Sequence, residues 1–332
     1  MKKFVAIDIG GTKSSVSLAK EHGGDIEIIS KRRFATPQNP RAAADEIFSS
    51  AKALFAETGL SLKTFDAIGI SCGGIIDAEN KIVVSTPVLP YWRDVSLCKE
   101  LETLLELPAF IENDANACAL VEWIFGAGRG TKNMVFLTCG TGIGAGIIIN
   151  GKIYGGSSGC AGEFGHVRLE RSGPVGCGKA GSIEGFCSGY GIGELGKMRA
   201  LELLQGGRVC GYCRSLSDIA KVDAKLLADA AFAGDKDARE VYAQAGEYLG
   251  RGISILCDIL NPEAVVVGSV FVRAEKLLRP SMECAMAFEA LASAREACRV
   301  VPARFDENLG DYAAVSVASE GLKTTVKVQV LV

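Results

Sequence analysis

One pattern, a strand, a glycine turn and a second strand, occurs twice in this chain. FVAIDIGGTKSSVSLA from Phe4 and MVFLTCGTGIGAGIII from Met134 can be laid side by side with Gly-Gly-Thr over Cys-Gly-Thr. Such a duplication constrains the fold more than any single motif, because it makes the chain a repeat of one supersecondary unit. In both copies an apolar run meets glycines, where backbone turns tightly and approaches a ligand closely. The 40 glycines against 9 prolines suit such turns better than stiff linkers.

Around the two copies, periodicity predicts strands over 4–9, 15–19 and 26–30, then a helix over 41–57. Ile47, Ala51, Leu54 and Phe55 share one face of that helix, and Gly59 stops it. A strand over 65–70, a helix near 96–105, a strand over 109–112 and a short helix over 115–125 follow. The order then restarts with strands over 134–138 and 145–150. Residues 151–193 are glycine-studded with little periodicity, and a loop of that length in a compact domain is normally functional. Helices are predicted over 216–233 and 237–260, with Asn261-Pro262 ending the second, then a strand over 264–267. Residues 323–332 alternate enough for an added edge strand or an ordered tail.

At 332 residues, 48% hydrophobic and 23% charged, the chain suits two medium domains with full cores. The net charge of -3 comes without a basic run, which speaks against a nucleic-acid partner. No stretch approaches the roughly 18 apolar residues that span a bilayer. Asp8 breaks the apolar run of MKKFVAIDIGG, which therefore reads as a first strand and not a signal peptide. The twelve cysteines, scattered mostly through apolar segments, read as reduced, mostly buried thiols in a cytoplasmic protein.

Within Asp8-Ile9-Gly10-Gly11-Thr12-Lys13, two glycines after a strand let N–H groups approach phosphate oxygens, and Thr12 adds a hydroxyl. Asp8, at the strand's carboxyl end, is placed for a hydrated Mg²⁺. A plain hairpin turn reads equally well, and the spacing is not that of a Walker loop. Thr138-Cys139-Gly140-Thr141-Gly142-Ile143-Gly144 repeats the arrangement, without the helix that a dinucleotide fold requires. Asn113-Asp114 ends a strand and opens a helix, so Asp114 is either an N-cap or a carboxylate where open α/β sheets bind ligands. Phosphoryl transfer to an alcohol needs such a carboxylate to accept the hydroxyl proton. Glu163 and His166, three apart, share a face in one helical turn and suit sugar hydroxyls; a surface Glu beside a structural His is the alternative.

Taken together, DIGGTK, ENDANACAL, TCGTGIGAGIIINGK and GEFGHV resemble, in order and spacing, the ROK family (repressor, open reading frame, kinase) over nearly the whole chain. The resemblance implies an α/β fold of two ribonuclease H-like, actin/hexokinase-type domains around a central cleft. One would be residues 1–117 with about 304–332, the other 118–303. It further implies ATP and Mg²⁺ as cofactors, with Asp8, Gly10, Gly11, Thr12 and Lys13 serving the metal and phosphates. Thr141 and Gly142 would form the second phosphate turn, and Gly268 would lie near adenine. Gly74, Asn113, Glu163, His166 and Glu184 would hold the sugar, and Asp114 would be the base. Family members are commonly dimers or tetramers, so a homo-oligomer is expected.

The departures from the family pattern matter as well. Val175 and Ser182 stand where the family's zinc motif has cysteines, leaving Cys177 and His166, so zinc is expected to be absent. The pair Cys210 and Cys213 lacks a second pair and reads as structural. Val88 replaces an asparagine beside the expected sugar pocket, and Ser269-Val270 replaces small residues near the expected adenine pocket. The implied activity is ATP-dependent phosphorylation of a hexose, glucokinase-type at the 6-hydroxyl. N-acetylglucosamine or N-acetylmannosamine kinase and a non-catalytic sugar-sensing regulator are the alternatives. A repressor's DNA-binding helices would have to precede a phosphate turn that starts at Asp8.

Overall fold

The computed structural model describes residues 1–306 and 308–330, with 325–330 as backbone only. Its first half runs β1 (Lys2–Ile9), β2 (Lys13–His22), β3 (Asp25–Ala35), α1 (Pro40–Thr58), β4 (Ala67–Cys72), β5 (Ile75–Asp77), β6 (Ile82–Ser85), β7 (Arg93–Val95), α2 (Leu97–Leu105), β8 (Ala109–Asn113) and α3 (Asp114–Ile124). The second half runs β9 (Met134–Cys139), β10 (Ile143–Ile149), β11 (Lys152–Ile153), β12 (Val175–Gly176), β13 (Lys179–Ala180), α4 (Ile183–Cys187), α5 (Gly189–Gln205), α6 (Ala224–Phe232), α7 (Lys236–Leu260), β14 (Ala264–Val267), α8 (Val270–Glu289), α9 (Ala292–Ala297), β15 (Arg299–Pro302) and α10 (Leu309–Val330).

The duplication seen in sequence is a duplication of topology. One sheet has the order β3-β2-β1-β4-β8 and the other β11-β10-β9-β14-β15. In each, three antiparallel strands are followed by two parallel ones. The glycine turns occupy equivalent places, after β1 and after β9. β4 and β14 are buried along their whole length, as parallel strands covered on both faces must be.

Helices α1 and α2 cover one face of the first sheet, through Ile47 and Leu54 of α1 and Leu101 of α2 against Ile68 and Ile70. The outer face of the second sheet is covered by the helices of the second half, among them α7 through Leu249 and Ile253 and α8 through Leu278 and Met282. Helices α3 and α10 fill the space between the two sheets. Ala117 and Val121 of α3 and Ala313 and Val317 of α10 meet Phe136 and Val266 of the second sheet. On its other side α10 packs Ala314 and Ala318 on Phe4, Ala6 and Ala67 of the first. Glycines set how close these helices come. A Cβ on Gly69 in β4 would lie 1.9 Å from the Ala314 carbonyl oxygen, and one on Gly146 in β10 would lie 2.4 Å from that of Ala115.

Three expectations are corrected. The predicted helix over 216–233 is a 3₁₀ turn, Leu216–Lys221, followed by α6. Asp223 starts α6 afresh by accepting a hydrogen bond from Leu226 N at 2.7 Å, so a local cap overrides the apolar period. Of the two expectations for residues 323–332, the edge strand is not formed: residues 323–330 continue α10, whose alanine seam is seated between the sheets, while Leu331 and Val332 lie outside the described residues. The stretch 151–193 contains β11 to β13 and α4 and is not one long loop.

Gly69→Ala places a methyl group on backbone that cannot yield. It should destabilise the protein by about 3 kcal/mol or more, read as a lower urea midpoint at unchanged slope. An unchanged midpoint would mean that α10 does not approach the sheet this closely.

Candidate functional site

The first turn is shaped by contacts that leave its outer face open. Gly10 N donates to the Lys13 carbonyl at 3.2 Å, and Thr36 Oγ1 donates to the Gly10 carbonyl at 2.7 Å. A Cβ on Gly10 would meet the Lys13 carbonyl oxygen at 2.7 Å, so the hairpin depends on glycine there. Thr12 and Lys13 are exposed. Val88 covers Gly11: a Cβ on Gly11 would fall 2.8 Å from Val88 Cβ. Val88 thus abuts the first glycine turn.

Asp8 is next to last in β1, with no described residue donating a hydrogen bond to its carboxylate. Its surroundings are acidic, and burial together with Asp311 and Asp114 pushes its carboxyl up to about 7, against the pull of Lys31 and Arg33. Asp311, on α10, is buried and accepts hydrogen bonds from Ser15 and Ser17 at 2.8 Å each and from Lys31. Gly310 lets α10 pass this close: a Cβ there would lie 2.3 Å from the Asp8 carboxyl carbon. A crowded carboxylate without a donor fits a hydrated Mg²⁺, which takes one or two carboxylates and keeps its waters.

Asp114 opens α3, but Asn113 is the cap. Asn113 Oδ1 accepts from Ala115 N at 2.9 Å and Asn116 N at 3.2 Å, while its Nδ2 donates to the Gly74 carbonyl at 2.9 Å. The first turn of α3 is thereby tied to the strand-end glycine of the first sheet. Asp114 is exposed and its Oδ1 also accepts from Ala115 N at 2.9 Å; desolvation is the chief cause that raises its carboxyl. Gly74 has φ +114°, and a Cβ there would strike the Ser85 carbonyl oxygen at 2.4 Å.

A cavity of about 690 Å³ brings Gly74 together with Glu163, His166, Thr86, Trp92 and Arg93. Glu163 Oε2 lies 3.7 Å from His166 Nε2, and both side chains are exposed to the cavity mouth. Asn113 and Glu184 do not line it. Glu184 braces the second turn: Oε2 accepts from Ile143 N at 3.0 Å, and a Cβ on Gly142 would lie 2.5 Å from the same oxygen. Its Oε1 accepts from Cys177 N at 2.8 Å and the Cys177 thiol at 3.0 Å. Thr141 is exposed at the tip of that turn. Gly268 N donates to the Leu137 carbonyl at 2.9 Å, and Ser269 follows with a positive φ of +53°. Sequence reasoning missed Asp311 and Gly310, whose places depend on contacts far along the chain.

The donor set around Cys177 does not fit a structural zinc. Ser182 is spent capping α4 and donating to the Gly176 carbonyl at 3.0 Å, and Val175 offers no thiol. Burial and the Glu184 carboxylate push the Cys177 thiol up to about 12, so the thiolate that zinc needs is disfavoured. Among the described residues no group of three or more His, Cys, Asp or Glu side chains is arranged to hold a metal ion. All twelve cysteines are free, and most are buried.

Two sheets of one topology, each with a glycine turn after its first strand, define a member of the actin/hexokinase-like class. The ROK family model matches residues 4–320, and the chain belongs to the ROK family. It is 33% identical to the glucokinase of Streptomyces coelicolor over 267 residues, covering 80% of each chain. The solved Streptomyces griseus ROK glucokinase, in complex with glucose and AMPPNP, matches at TM-score 0.74 and 29% identity over 96% of this chain and 99% of that one. A solved ROK family transcriptional regulator, a homologue of the E. coli MLC protein, matches at TM-score 0.81 and 25% identity over 95% of this chain and 77% of that one. No described helix is long and apolar enough to cross a membrane.

Two outcomes follow from the site. Elemental analysis of purified protein should find well under one zinc per chain; one tightly held zinc would overturn the reading of Cys177. Asp8, raised in the folded protein, binds its proton more tightly there than in the unfolded chain, so its contribution to stability falls as pH rises from about 4 to about 7. Asp8→Asn should therefore gain on the order of 1–2 kcal/mol over wild type at pH 8 without Mg²⁺, and less at pH 5. Equal effects at both pH values in denaturant titrations would contradict this.

Proposed function

We propose that this protein is a sugar kinase that transfers the γ-phosphate of ATP to a hexose hydroxyl, glucokinase-type and at the 6-position, with Asp114 as general base. The observation that carries the reading is the placement of Asp114. Asn113 caps Asn116 N and shares Ala115 N with Asp114 Oδ1, while the other oxygen of the exposed Asp114 carboxylate lies beside Gly73, next in sequence to Gly74 of the cavity that holds Glu163 and His166. The similarity to glucokinases of known name supports the choice of reaction.

In this reading the hexose sits in the 690 Å³ cavity, with Glu163 and His166 accepting and donating to its hydroxyls. The acceptor hydroxyl gives its proton to Asp114 as its oxygen bonds to the γ-phosphorus. The bond from that phosphorus to the bridging oxygen breaks, and ADP leaves with the electron pair. N–H groups of the Gly10-Gly11-Thr12 and Gly140-Thr141-Gly142 turns would cradle the phosphates, with Gly268 near the adenine. Asp8 would hold Mg²⁺, which when bound offsets the phosphate charge. Asn113 and Glu184 act in this account as positioning residues, one for the base and one for the second turn. We further propose that the first sheet with α10 and the second sheet with its helices are the two domains, and that closure on sugar excludes water.

A second reading, a sugar-sensing regulator, is favoured by the likeness to the solved transcriptional regulator. Release of ADP on a sugar panel separates the two, because a sensor binds sugar without turnover. For the kinase, Asp114→Asn should lower turnover by about 10²- to 10⁴-fold while calorimetry shows sugar binding retained. Near-normal turnover in that variant would refute the base.

A further inference from the structure

Strand β3 carries two cations, Lys31 and Arg33, on the face of the first sheet that meets α10. The register sets their places. Asp8 pairs with Ser15, which pairs with Arg33; in the next row Ala6 pairs with Ser17, which pairs with Lys31. Directly opposed residues share a face, so Asp8, Ser15 and Arg33 form one row across three strands. The end of β3 is also fixed to the first glycine turn. Thr36 N donates to the Thr12 carbonyl at 3.0 Å, and Thr36 Oγ1 to the Gly10 carbonyl at 2.7 Å. Arg33, just before that tie, therefore has a set position relative to the turn.

The two cations are used differently. Lys31 pairs with the buried carboxylate of Asp311. Arg33 Nη2 donates to Asn308 Oδ1 at 3.0 Å, a neutral acceptor, and among the described residues no carboxylate pairs with it. Yet Arg33 is near enough to Asp8 to pull that carboxyl down, against burial, Asp311 and Asp114. Charge balance shows what is left over. With Mg²⁺ on Asp8, the metal and Lys31 together match the charges of Asp8, Asp114 and Asp311. Arg33 then remains as an exposed, unmatched positive charge in the row of Asp8. A guanidinium presents paired N–H groups in the geometry that phosphate oxygens accept.

We propose that Arg33 is a phosphate-binding residue, donating from β3 to the β- or γ-phosphate oxygens of the nucleotide whose phosphates the first turn receives. The inference rests on the kinase reading for the identity of that ligand. It adds a contact from a strand outside the motif Asp8–Lys13. The competing role is that of a plain counter-ion to the acids around Asp8. The two roles differ in how the residue affects nucleotides of different phosphate number.

Calorimetry of the full chain with Mg²⁺ and AMP, ATP or a hexose tests it. Arg33→Met should weaken ATP binding by about 10- to 100-fold and leave AMP and hexose binding unchanged. Arg33→Lys, which keeps the charge without the fork, should retain part of the ATP affinity. Unchanged ATP affinity in Arg33→Met would overturn the assignment. So would a loss for AMP or hexose as large as that for ATP, which marks a structural counter-ion. Failure of the kinase reading looks different: wild type then binds ATP but releases no ADP with any sugar, and Arg33 is still judged on ATP affinity. A wild-type chain that binds no ATP overturns both.

Discussion

The structure depends on two helices being pressed between two sheets at glycines. Gly69 admits α10 to the first sheet, and Gly146 admits α3 to the second. Alanines on the helices complete the fit, so the separation of the sheets is fixed by backbone against backbone and not by flexible side chains. Because α3 begins where β8 ends, this packing also fixes its first turn, with Asp114, at the carboxyl edge of the first sheet. Because α10 returns from the end of the chain, it delivers Asp311 and Gly310 to the carboxyl end of β1. The chemistry proposed for the cleft rests on that arrangement.

A concentration of carboxylates results, and its electrostatic cost is the clearest trace of function. Asp8 is pushed to about 7 by burial, Asp311 and Asp114, with Lys31 and Arg33 offsetting only part of the effect. A sequence selected for stability alone would not hold so many acids together without more donors.

Much of this was legible in the sequence, for physical reasons. Both glycine turns follow apolar runs that could only be strands, and the duplicated pattern is the duplicated sheet. Asn113-Asp114 was readable as a strand-to-helix junction because a polar pair there caps or catalyses. Which of the two does the capping was not readable, since both side chains accept from Ala115 N; the further bond from Asn116 N to Asn113 decides it. Asp311 could not be foreseen, because its partners Ser15 and Ser17 lie 296 and 294 residues away. Nor could the helical state of residues 323–330, where an alternating local pattern yields to the packing of α10. The bonds that Glu184 accepts from Ile143 N and Cys177 are a detail of three-dimensional bonding that spacing does not encode.

The most direct test of the account is a crystal structure with a hexose and a non-hydrolysable ATP analogue bound together. An acceptor hydroxyl about 2.6–3.2 Å from an Asp114 carboxylate oxygen, in line with the γ-phosphorus, is the predicted result. A hexose bound with every hydroxyl beyond hydrogen-bond reach of Asp114, or a γ-phosphate facing away from the sugar, would contradict it.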